Sequence, residues 1–173
     1  MTTLNVDSDG HIYFLVDEDD IDDFRFMWAA EFEGEVIASS AFIAESSAVT
    51  LGNGSNGAPA PSYTNKSDHA ARVDSTYYKQ GAGMVLAVDN GFSYECVRAG
   101  YSAASAPAAF PTIEGDTVQD GDCIWKCWRN FCYSTVWVVG STSATGIVTN
   151  RAWSGSRRKD KSMRIKVTPA KGV

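Results

Sequence analysis

Two stretches of alternating sequence decide the fold, residues 24–43 (FRFMWAAEFEGEVIASSAFI) and residues 134–167 (STVWVVGSTSATGIVTNRAWSGSRRKDKSMRIKV). In both stretches, apolar and polar residues alternate over short runs, which is the pattern of half-buried β-strands. Neither stretch alone provides two faces that could cover a core. We therefore expect the two stretches to close on each other as one β-sandwich, and the sequence between them to form an insertion.

The alternation is clearest after residue 23. The side chains predicted to share one face of the first strand are Phe24, Phe26, Trp28, Ala30 and Phe32. Residues 33–35 (EGE) are predicted to form a turn, and residues 36–43 the partner strand. Upstream, residues 11–16 (HIYFLV) predict a strand of an N-terminal hairpin.

The C-terminal stretch predicts three further strands. Val136 and Val138 alternate with their neighbours, residues 147–153 form the next strand, and residues 163–167 form the last one. Residues 155–160 are predicted to be an exposed basic turn.

The middle of the chain has a different composition. Residues 52–67 (GNGSNGAPAPSYTNKS) are rich in Gly, Asn, Pro and Ser and predict a break without regular structure. Residues 84–88 and 92–97 flank Asp89-Asn90-Gly91, which predicts a hairpin because Asn and Gly tolerate positive φ. Asp120-Gly121 is predicted to turn into a strand at 123–128 (CIWKCW).

These patterns predict an all-β chain: an antiparallel β-sandwich interrupted by a small antiparallel β domain of three or four strands, and the resemblance described below implies that the sandwich is immunoglobulin-like. Residues 1–55 would form the first half of the sandwich, 56–131 the linker and inserted domain, and 132–173 the second half. The aromatic side chains expected to supply most of the insert's core are Phe92, Tyr94, Trp125 and Trp128.

Charge is distributed unevenly along the chain. Residues 1–36 contain eleven acidic residues against one base, and residues 151–173 contain eight bases against one acid. Two docking surfaces of opposite sign would steer partners or join copies head to tail. The simpler interpretation is mutual neutralisation, because the first and last strands of a sandwich often lie near each other. The acidic run at 17–23 is interpreted as a solvated turn, since it lacks the spacing of a calcium loop.

The four cysteines favour buried thiols. Cys123 and Cys127 are spaced C-x₃-C, which is not a zinc-site spacing, and a strand would place both on one face, roughly 13 Å apart. A Cys96–Cys127 bridge between two strands remains an alternative, less favoured in a reducing cytoplasm. We expect no cofactor.

Composition also bears on the partners. The hydrophobic fraction of 44% is enough to fill a core, but no apolar run approaches the length of a membrane span, and the N-terminus lacks a recognisable export signal. A soluble protein without a membrane partner is therefore expected. A direct nucleic-acid partner is disfavoured, because the net charge of −6 would repel phosphates.

The outer parts of the chain resemble the small immunoglobulin-like virion proteins of tailed bacteriophages described as fibre–tail adaptors. The resemblance rests on an acidic lead-in before an aromatic strand, a Gly-acidic turn followed by Ile-Ala-Ser-Ser, and then Thr-Val-Trp, Val-Thr-Asn-Arg and a terminal apolar–basic strand. In this chain these are residues 19–23, 24–32, 34–40, 135–137, 148–151 and 163–167.

The insert is similar to a second module that is frequent in phage tail and neck proteins. The matching residues are Asn90, Gly91, Tyr94, Cys96, Ala99, Gly100, Pro107, Gly115, Thr117, Val118, Asp120, Gly121, Trp125 and Cys127, with Phe110-Pro111 near a second proline position. Together the two resemblances cover about 85% of the chain. The insert itself is the departure from the simplest adaptors, which connect the two halves directly.

The resemblance implies a virion structural protein of the tail, assembled in the cytoplasm of a host bacterium, that joins tail fibres or spikes to the tail body. The implied partners are the tail tube or hub, the fibres, and further copies of the chain in a symmetric assembly. Two alternatives remain open: a capsid decoration or cement protein, and a host-glycan-binding module of the virion.

The sequence predicts no catalytic site and hence no enzyme. Asp120 and Asp122 have the residue type of a glycosidase pair, but they lie at a predicted turn where Asp is expected for backbone reasons. A nucleophilic triad is disfavoured because no Gly-x-Ser-x-Gly elbow occurs. The residues predicted to bind partners are Asp19, Asp20, Asp22, Arg157, Arg158, Lys159, Tyr101 and Trp128; exposed aromatic rings among them, with Trp125 and Tyr94 as further candidates, would stack on sugars.

Overall fold

A computed structural model of the protein describes residues 5–6, 12–17 and 21–169. The regular secondary structure of the described residues is almost entirely β-strand. The strands are β1 (Asn5–Val6), β2 (Ile12–Asp17), β3 (Ile21–Met27), β4 (Ser39–Ala44), β5 (Val49–Leu51), β6 (Ser62–Thr64), β7 (Tyr77–Tyr78), β8 (Gly83–Met84), β9 (Ser93–Arg98), β10 (Gly100–Tyr101), β11 (Thr117–Asp120), β12 (Cys123–Trp128), β13 (Tyr133–Gly140), β14 (Thr145–Ser154) and β15 (Arg157–Thr168). One short helix, α1 (Ala29–Phe32), and one 3₁₀ turn (Lys66–Asp68) accompany them.

The chain divides into two compact units. The first unit contains the described residues of Met1–Phe26, Ile37–Tyr63 and Ser134–Val173, and the second contains Met27–Val36 and Thr64–Tyr133. The sequence analysis placed residues 27–36 and 132–133 in the sandwich, but the structure assigns them to the second unit. Residues 56–63, predicted to belong to the linker and inserted domain, are part of the first unit. The first unit is thus built from three separate pieces of the chain.

The first unit is a β-sandwich of two sheets. One sheet has the strand order β1-β2-β15-β14-β4, and the other has the order β3-β13-β5, with β6 also paired to β13. Strands of the N-terminal part therefore pair with strands of the C-terminal part in both sheets, for example Phe42 opposite Asn150 between β4 and β14. The two alternating stretches of the sequence predicted this pairing between the N-terminal and C-terminal parts of the chain.

One strand pair departs from the all-antiparallel arrangement predicted for the sandwich. β2 runs parallel to β15, with Phe14 opposite Ile165 and Val16 opposite Val167, whereas β14 and β15 are antiparallel. The prediction was wrong here because a single sequence carries no local signal for the direction in which two distant strands pair.

The core of the first unit lies between its two sheets. Phe24 of β3 contacts Phe14 of β2 at a ring-centroid distance of 5.5 Å, and Phe26 contacts Phe42 of β4 at 5.6 Å. The strands of the larger sheet add Ile165, which is fully buried. Aromatic pairs at this separation contribute dispersion and quadrupole attraction in addition to their burial, so they hold the two sheets face to face.

A small polar network is buried within this core. The Asn150 amide donates to Ser40 Oγ at 2.7 Å and to the carbonyl of Ala41 at 3.0 Å, and Ser40 Oγ donates to Ser134 Oγ at 3.0 Å. Asn150 and Ser134 are fully buried. Because a buried polar group costs free energy unless it is hydrogen-bonded, this network favours one alignment of β4, β13 and β14.

The predicted strand over residues 24–32 ends earlier than expected. β3 stops at Met27, and Trp28 leads into α1, so that Trp28 and Phe32 are both buried with their ring centroids 5.7 Å apart. Ala30, which was assigned to the same face, is exposed. Glu33 (φ 53) and Gly34 (φ 92) form the predicted turn, but this turn ends the helix. The strand that follows, β4, pairs with β14 and not with β3.

The predicted basic turn at 155–160 is also shorter than expected. Only two residues, Gly155 and Ser156, connect β14 to β15, and Ser154 pairs with Arg157. Gly155 has a φ of 55°, which suits the first central position of a two-residue hairpin turn. Residues 157–160 are therefore strand residues, and their basic side chains alternate across the sheet.

The second unit contains a four-stranded antiparallel sheet in the order β11-β12-β9-β8 and a two-stranded ribbon of β7 and β10. Its core cluster consists of Met84, Tyr94, Cys96, Cys123, Trp125 and Cys127. The alternation of buried and half-buried residues along β12 is the one that the sequence predicted. The predicted Asp120-Gly121 turn connects β11 to β12.

Two predictions for this region need correction. β8 and β9 are antiparallel neighbours, but β8 ends at Met84, so the Asn90-Gly91 turn belongs to a longer loop and not to a tight hairpin. Asp89 and Asn90 instead accept hydrogen bonds from the backbone N–H groups of Gly91 and Phe92. In the predicted break at 52–67, the strand β6 forms and pairs with β13.

Candidate functional site

The second unit exposes a pair of tyrosine rings on its two-stranded ribbon. Tyr77 of β7 lies directly opposite Tyr101 of β10, and the two side chains are 55% and 58% exposed. Their ring centroids lie 5.4 Å apart with an interplanar angle of 65°. This edge-to-face arrangement presents two rings at an angle to solvent, which is a surface that can stack on an apolar face of a partner.

Backbone and hydroxyl hydrogen bonds hold this ribbon next to the preceding loop. The Ser102 N–H donates to the Thr76 carbonyl at 2.9 Å, and the Thr76 N–H donates to Ser102 Oγ at 3.0 Å. The Ser102 hydroxyl in turn donates a hydrogen bond to the Val73 carbonyl at 2.8 Å. Ser102 is buried, so these bonds are shielded from water and fix the strand that carries Tyr101.

A buried ion pair anchors the same loop to the sheet. Arg72 donates to Asp120 through Nε at 2.7 Å and through Nη2 at 2.8 Å, and its side chain is only 6% exposed. Asp120 also accepts from the Ala103 N–H at 3.0 Å and from Trp125 Nε1 at 3.0 Å. Each carboxylate oxygen therefore accepts one bond from the guanidinium and one from another group. Arg72 forms a further ion pair with Asp74.

This environment sets the charge of the pair. Burial alone would raise the pKa of Asp120, but the hydrogen bonds from Arg72, Ala103 and Trp125 outweigh it and hold the pKa below its usual range. The hydrogen bond to Asp120 raises the pKa of Arg72 further above its already high value. Both groups are charged at neutral pH. Both carboxylate oxygens of Asp120 already accept hydrogen bonds, so this residue has a structural role.

Glycine is required where the ribbon approaches the β11–β12 turn. A Cβ at Gly100 would lie 2.5 Å from Asp122 Cβ, and one at Gly121 would lie 2.5 Å from the Tyr101 carbonyl oxygen. Gly121 also has a φ of 63°. The Asp122 N–H donates to that same carbonyl at 2.8 Å. The Tyr101 backbone is thereby tied to the turn that begins with Asp120.

The other predicted aromatic site residue, Trp128, lies on the opposite side of β12 from the core cluster. It is half-buried, its Nε1 donates to Glu95 Oε2 at 2.9 Å, and Lys126 Nζ lies 4.4 Å from its ring centroid. Lys126 and Glu95 are register partners on adjacent strands. One face and the Nε1 edge of Trp128 are therefore engaged, and the side chain is less exposed than those of the tyrosine pair.

Two further aromatic candidates are core residues. Trp125 and Tyr94 are fully buried, so they are not available for sugar stacking. Trp125 packs edge-to-face against Tyr78 at 4.8 Å, and Tyr94 packs against Phe110 at 5.0 Å. Burial raises the pKa of Tyr94, whose hydroxyl donates to the Pro111 carbonyl at 2.9 Å.

The predicted charged site residues belong to the first unit. Asp19 and Asp20 lie outside the described residues. Asp22 is exposed in β3, and residues 157–159 lie at the start of β15, with Arg158 and Lys159 exposed and Arg157 half-buried. Arg158 Nε lies 3.4 Å from Asp160, and Arg151 from the neighbouring strand lies 3.2 Å from the same carboxylate. The structure thus separates the aromatic candidates from the charged candidates into different units.

All four cysteines are free and buried, as the sequence favoured, and the alternative Cys96–Cys127 bridge is not formed. Burial raises the pKa of Cys96 to about 12, aided by the neighbouring Cys123 thiol, and raises that of Cys127 to about 11. The Cys96 and Cys123 thiols donate to the carbonyls of Arg98 and Gly100 at 3.1 and 3.0 Å.

Several site types find no support among the residues that the structure describes. These residues contain no group of three or more His, Cys, Asp or Glu side chains that could hold a metal ion. His69 is held by its ring nitrogen, 2.8 Å from the Phe131 carbonyl, and by stacking on Phe131. None of the described helices is long and apolar enough to cross a membrane.

Comparison with known proteins gave no match: no family model, no curated protein and no solved structure is significantly similar to the chain.

The sequence identified Tyr101 but missed its partner. Tyr77 and Tyr78 are adjacent in a segment without a clear period, and which of the two faces solvent depends on the pairing of β7 with β10. No local sequence signal marks this arrangement; the structure alone shows that Gly100 lies opposite Tyr78 at a position where a larger side chain would collide with Asp122.

Proposed function

We propose that the chain is a structural protein of a tailed-phage virion, a tail component that joins fibres or spikes to the tail body. The observation that carries this proposal is the interrupted sandwich: the N- and C-terminal parts pair in one two-sheet unit, and residues 64–133 fold as a separate unit together with residues 27–36. A sandwich interrupted by an accessory unit provides two independent binding bodies in one chain, which suits a connector.

The immunoglobulin-like part of the expectation is supported by strand order. An immunoglobulin sandwich places its second, fifth and fourth strands side by side in one sheet, and its third, sixth and seventh strands in the other. Counting β2 as the first strand of the first unit and leaving out β1 and β6, the orders β3-β13-β5 and β15-β14-β4 follow this arrangement. The first strand differs, because β2 pairs with β15 and not with β3. The resemblance to the adaptors described above rests on the same strands.

The charge distribution supports a role in assembly. Asp22 and Asp23 are exposed on β3, whereas Arg158 and Lys159 are exposed on β15. Complementary surfaces of this kind accelerate association and select partners more than they stabilise a single chain. The proposal includes neither a catalytic role nor a cofactor, and its partners are other virion proteins and further copies of the chain.

A conditional null mutation tests the proposal. A stop codon suppressed only in a permissive host would be placed in the gene of the phage that encodes the chain, and particles from a non-permissive host would be imaged by electron microscopy. Filled heads carrying tails that lack fibres or spikes are the expected result. Complete, infectious particles would contradict a virion role, and particles with intact fibres but unstable heads would favour a capsid decoration or cement protein instead.

A second candidate function, recognition of a host glycan, is favoured by the exposed Tyr77–Tyr101 pair. Rings held by a rigid ribbon can stack on the apolar face of a pyranose with little loss of conformational entropy. On a glycan array, Tyr101→Ala would lower affinity at least about tenfold, equivalent to about 1.4 kcal/mol. Ile113→Ala, which removes an exposed apolar side chain of the same unit, is the matched control. Loss of binding in Trp128→Ala but not in Tyr101→Ala would move the site from the ribbon to Trp128 on β12.

A further inference from the structure

The larger sheet of the first unit ends in a strand with an open edge. β4 is the last strand in the order β1-β2-β15-β14-β4, and no described strand pairs with its outer side. The side chains of β4 alternate, with Ser40 and Phe42 half-buried toward the core and Ser39, Ala41 and Ile43 exposed on the outer face. An exposed strand edge presents backbone N–H and C=O groups that are a template for another chain.

The register identifies which backbone groups point outward. The Glu45 N–H donates to the Ile147 carbonyl, and β4 and β14 follow one register from Ala44 opposite Val148 to Ser39 opposite Trp153. In an antiparallel pair, successive residues alternate between bonding to the partner strand and pointing away from it. Counting back from Glu45, the backbone groups of Ser40, Phe42 and Ala44 point to the open side.

The edge has a defined end and a groove beside it. The Tyr63 hydroxyl donates to the Ala38 carbonyl at 3.1 Å, which covers the edge just before β4 begins. Ser40 and Phe42 line a groove of about 280 Å³ together with residues 61–63. The open part of the edge is therefore confined to β4 itself, and the small side chains of Ser39 and Ala41 leave its outer face accessible.

Charge distinguishes β4 from the other edges of the first unit. β4 (SSAFIA) contains no charged residue, whereas the edge strand β3 (IDDFRFM) contains three. The remaining described edge strands, β1, β5 and β6, are only two or three residues long. Short or charged edges resist pairing with another chain, and β4 has neither protection. A two-fold axis that pairs β4 with itself also brings no like charges together.

We propose that β4 pairs antiparallel with β4 of a second copy of this chain, so that the two five-stranded sheets become one continuous sheet across a two-fold axis. In the register that uses all three outward residues, Phe42 lies opposite Phe42 of the second copy and Ser40 lies opposite Ala44. The two-fold axis repeats the Ser40–Ala44 pair, so there are three pairs, and each forms two main-chain hydrogen bonds, six in total. A register shifted so that Ala38 also pairs with the second copy is disfavoured, because the Ala38 carbonyl already accepts a hydrogen bond from the Tyr63 hydroxyl. The inference stands independently of the proposed function.

Molar mass measured by light scattering over a concentration series tests the pairing in the full chain. We expect a concentration-dependent rise to twice the 18.7 kDa of one chain. Ala41→Glu places a carboxylate on the outer face opposite Arg151, which is tolerated within one copy, but pairing would set it against Ile43 of the second copy and bring the two new carboxylates close together across the two-fold axis. This variant should remain a monomer at concentrations where the parent is a dimer. Ala104→Glu, at an exposed loop position of the second unit, should dimerise like the parent.

Amide hydrogen exchange gives the second readout. In the dimer, the amides of Ser40, Phe42 and Ala44 should be protected, and in Ala41→Glu they should exchange faster while those of Ala41 and Ile43 remain bonded to β14. A monomer at all concentrations would overturn the proposal. A dimer that persists in Ala41→Glu, or one in which these three amides are unprotected, would overturn it as well, since the contact would then lie elsewhere.

Discussion

Replacing Asp120 by Asn tests the role of the buried ion pair in the second unit. Each oxygen of Asp120 accepts two hydrogen bonds, one from Arg72 and one from either Ala103 or Trp125. Whichever oxygen becomes the amide nitrogen, its N–H groups then face two donors, and Arg72 loses its buried carboxylate partner and keeps only the exposed one, Asp74. Breaking a buried pair from one side costs about 3–5 kcal/mol.

This loss is a large fraction of the stability of a small unit, since whole domains have only roughly 5–15 kcal/mol. We expect Asp120→Asn to lower the free energy of unfolding of the second unit by about 3–5 kcal/mol, with little change in the first. Residue-resolved hydrogen exchange in increasing urea measures the two units separately. The matched control is Asp122→Asn, at an exposed position of the same turn, for which we expect a change within about 0.5 kcal/mol. Equal effects of the two substitutions would refute the reasoning.

The same pair predicts the direction of the pH dependence. The pKa of Asp120 in the folded protein lies below its unfolded value of about 3.9, so its contribution is complete above roughly pH 4 and is lost as the pH falls through the folded-state pKa. Acid unfolding curves of the second unit should therefore lose part of their steepness in Asp120→Asn. An unchanged curve would show that Asp120 does not couple folding to protonation.

Two further predictions concern the thiols and a glycine. Burial raises the pKa of Cys96 to about 12 and that of Cys127 to about 11. Alkylation at pH 8, followed by mass spectrometry, should therefore modify neither thiol in the folded protein and both thiols in urea. Rapid modification without urea would contradict their burial. Gly34→Ala should destabilise the second unit more than Gly91→Ala. Both glycines have φ near 90°, but only at Gly34 would the new Cβ meet a neighbouring atom, Arg129 Cβ at 2.9 Å. The shared left-handed conformation costs about 1–2 kcal/mol, and thermal melting of the two variants measures the difference; equal melting temperatures would show that the neighbour moves aside freely.

Local periodicity was sufficient to predict the long strands. The alternation of Val136 and Val138 in β13 and of Cys123, Trp125 and Cys127 in β12 corresponds to residues that are buried in the structure. These segments alternate over many residues, so one period explains them. The all-β class followed from the number of such segments and from the Gly- and Pro-rich breaks between them.

The helix α1 was missed because its spacing fits two periods. Trp28 and Phe32 are four residues apart, which places them on the same face of a strand and also on the same face of a helix. Only the exposure of Ala30 and the positive φ of Glu33 in the structure separate the two interpretations. The sequence pattern does not contain that information.

Contacts between distant residues were not predictable in the same way. Arg72 and Asp120 are 48 positions apart, and Tyr77 meets Tyr101 only because β7 pairs with β10. The parallel pairing of β2 with β15 is a third example. In each case the local sequence is compatible with several partners, and the choice is made by the packing of the whole unit.

The central claim is that the two ends of the chain share one sandwich, and cross-strand nuclear Overhauser effects test it most directly. Phe42 and Asn150 are register partners at a position where the strands do not bond to each other, so their Hα atoms should be close and give a strong signal. A second signal is expected between the rings of Phe26 and Phe42. If instead Phe42 gives Hα contacts only with residues 21–63, each part of the chain folds by itself, and both the sandwich and the connector role proposed from it are wrong.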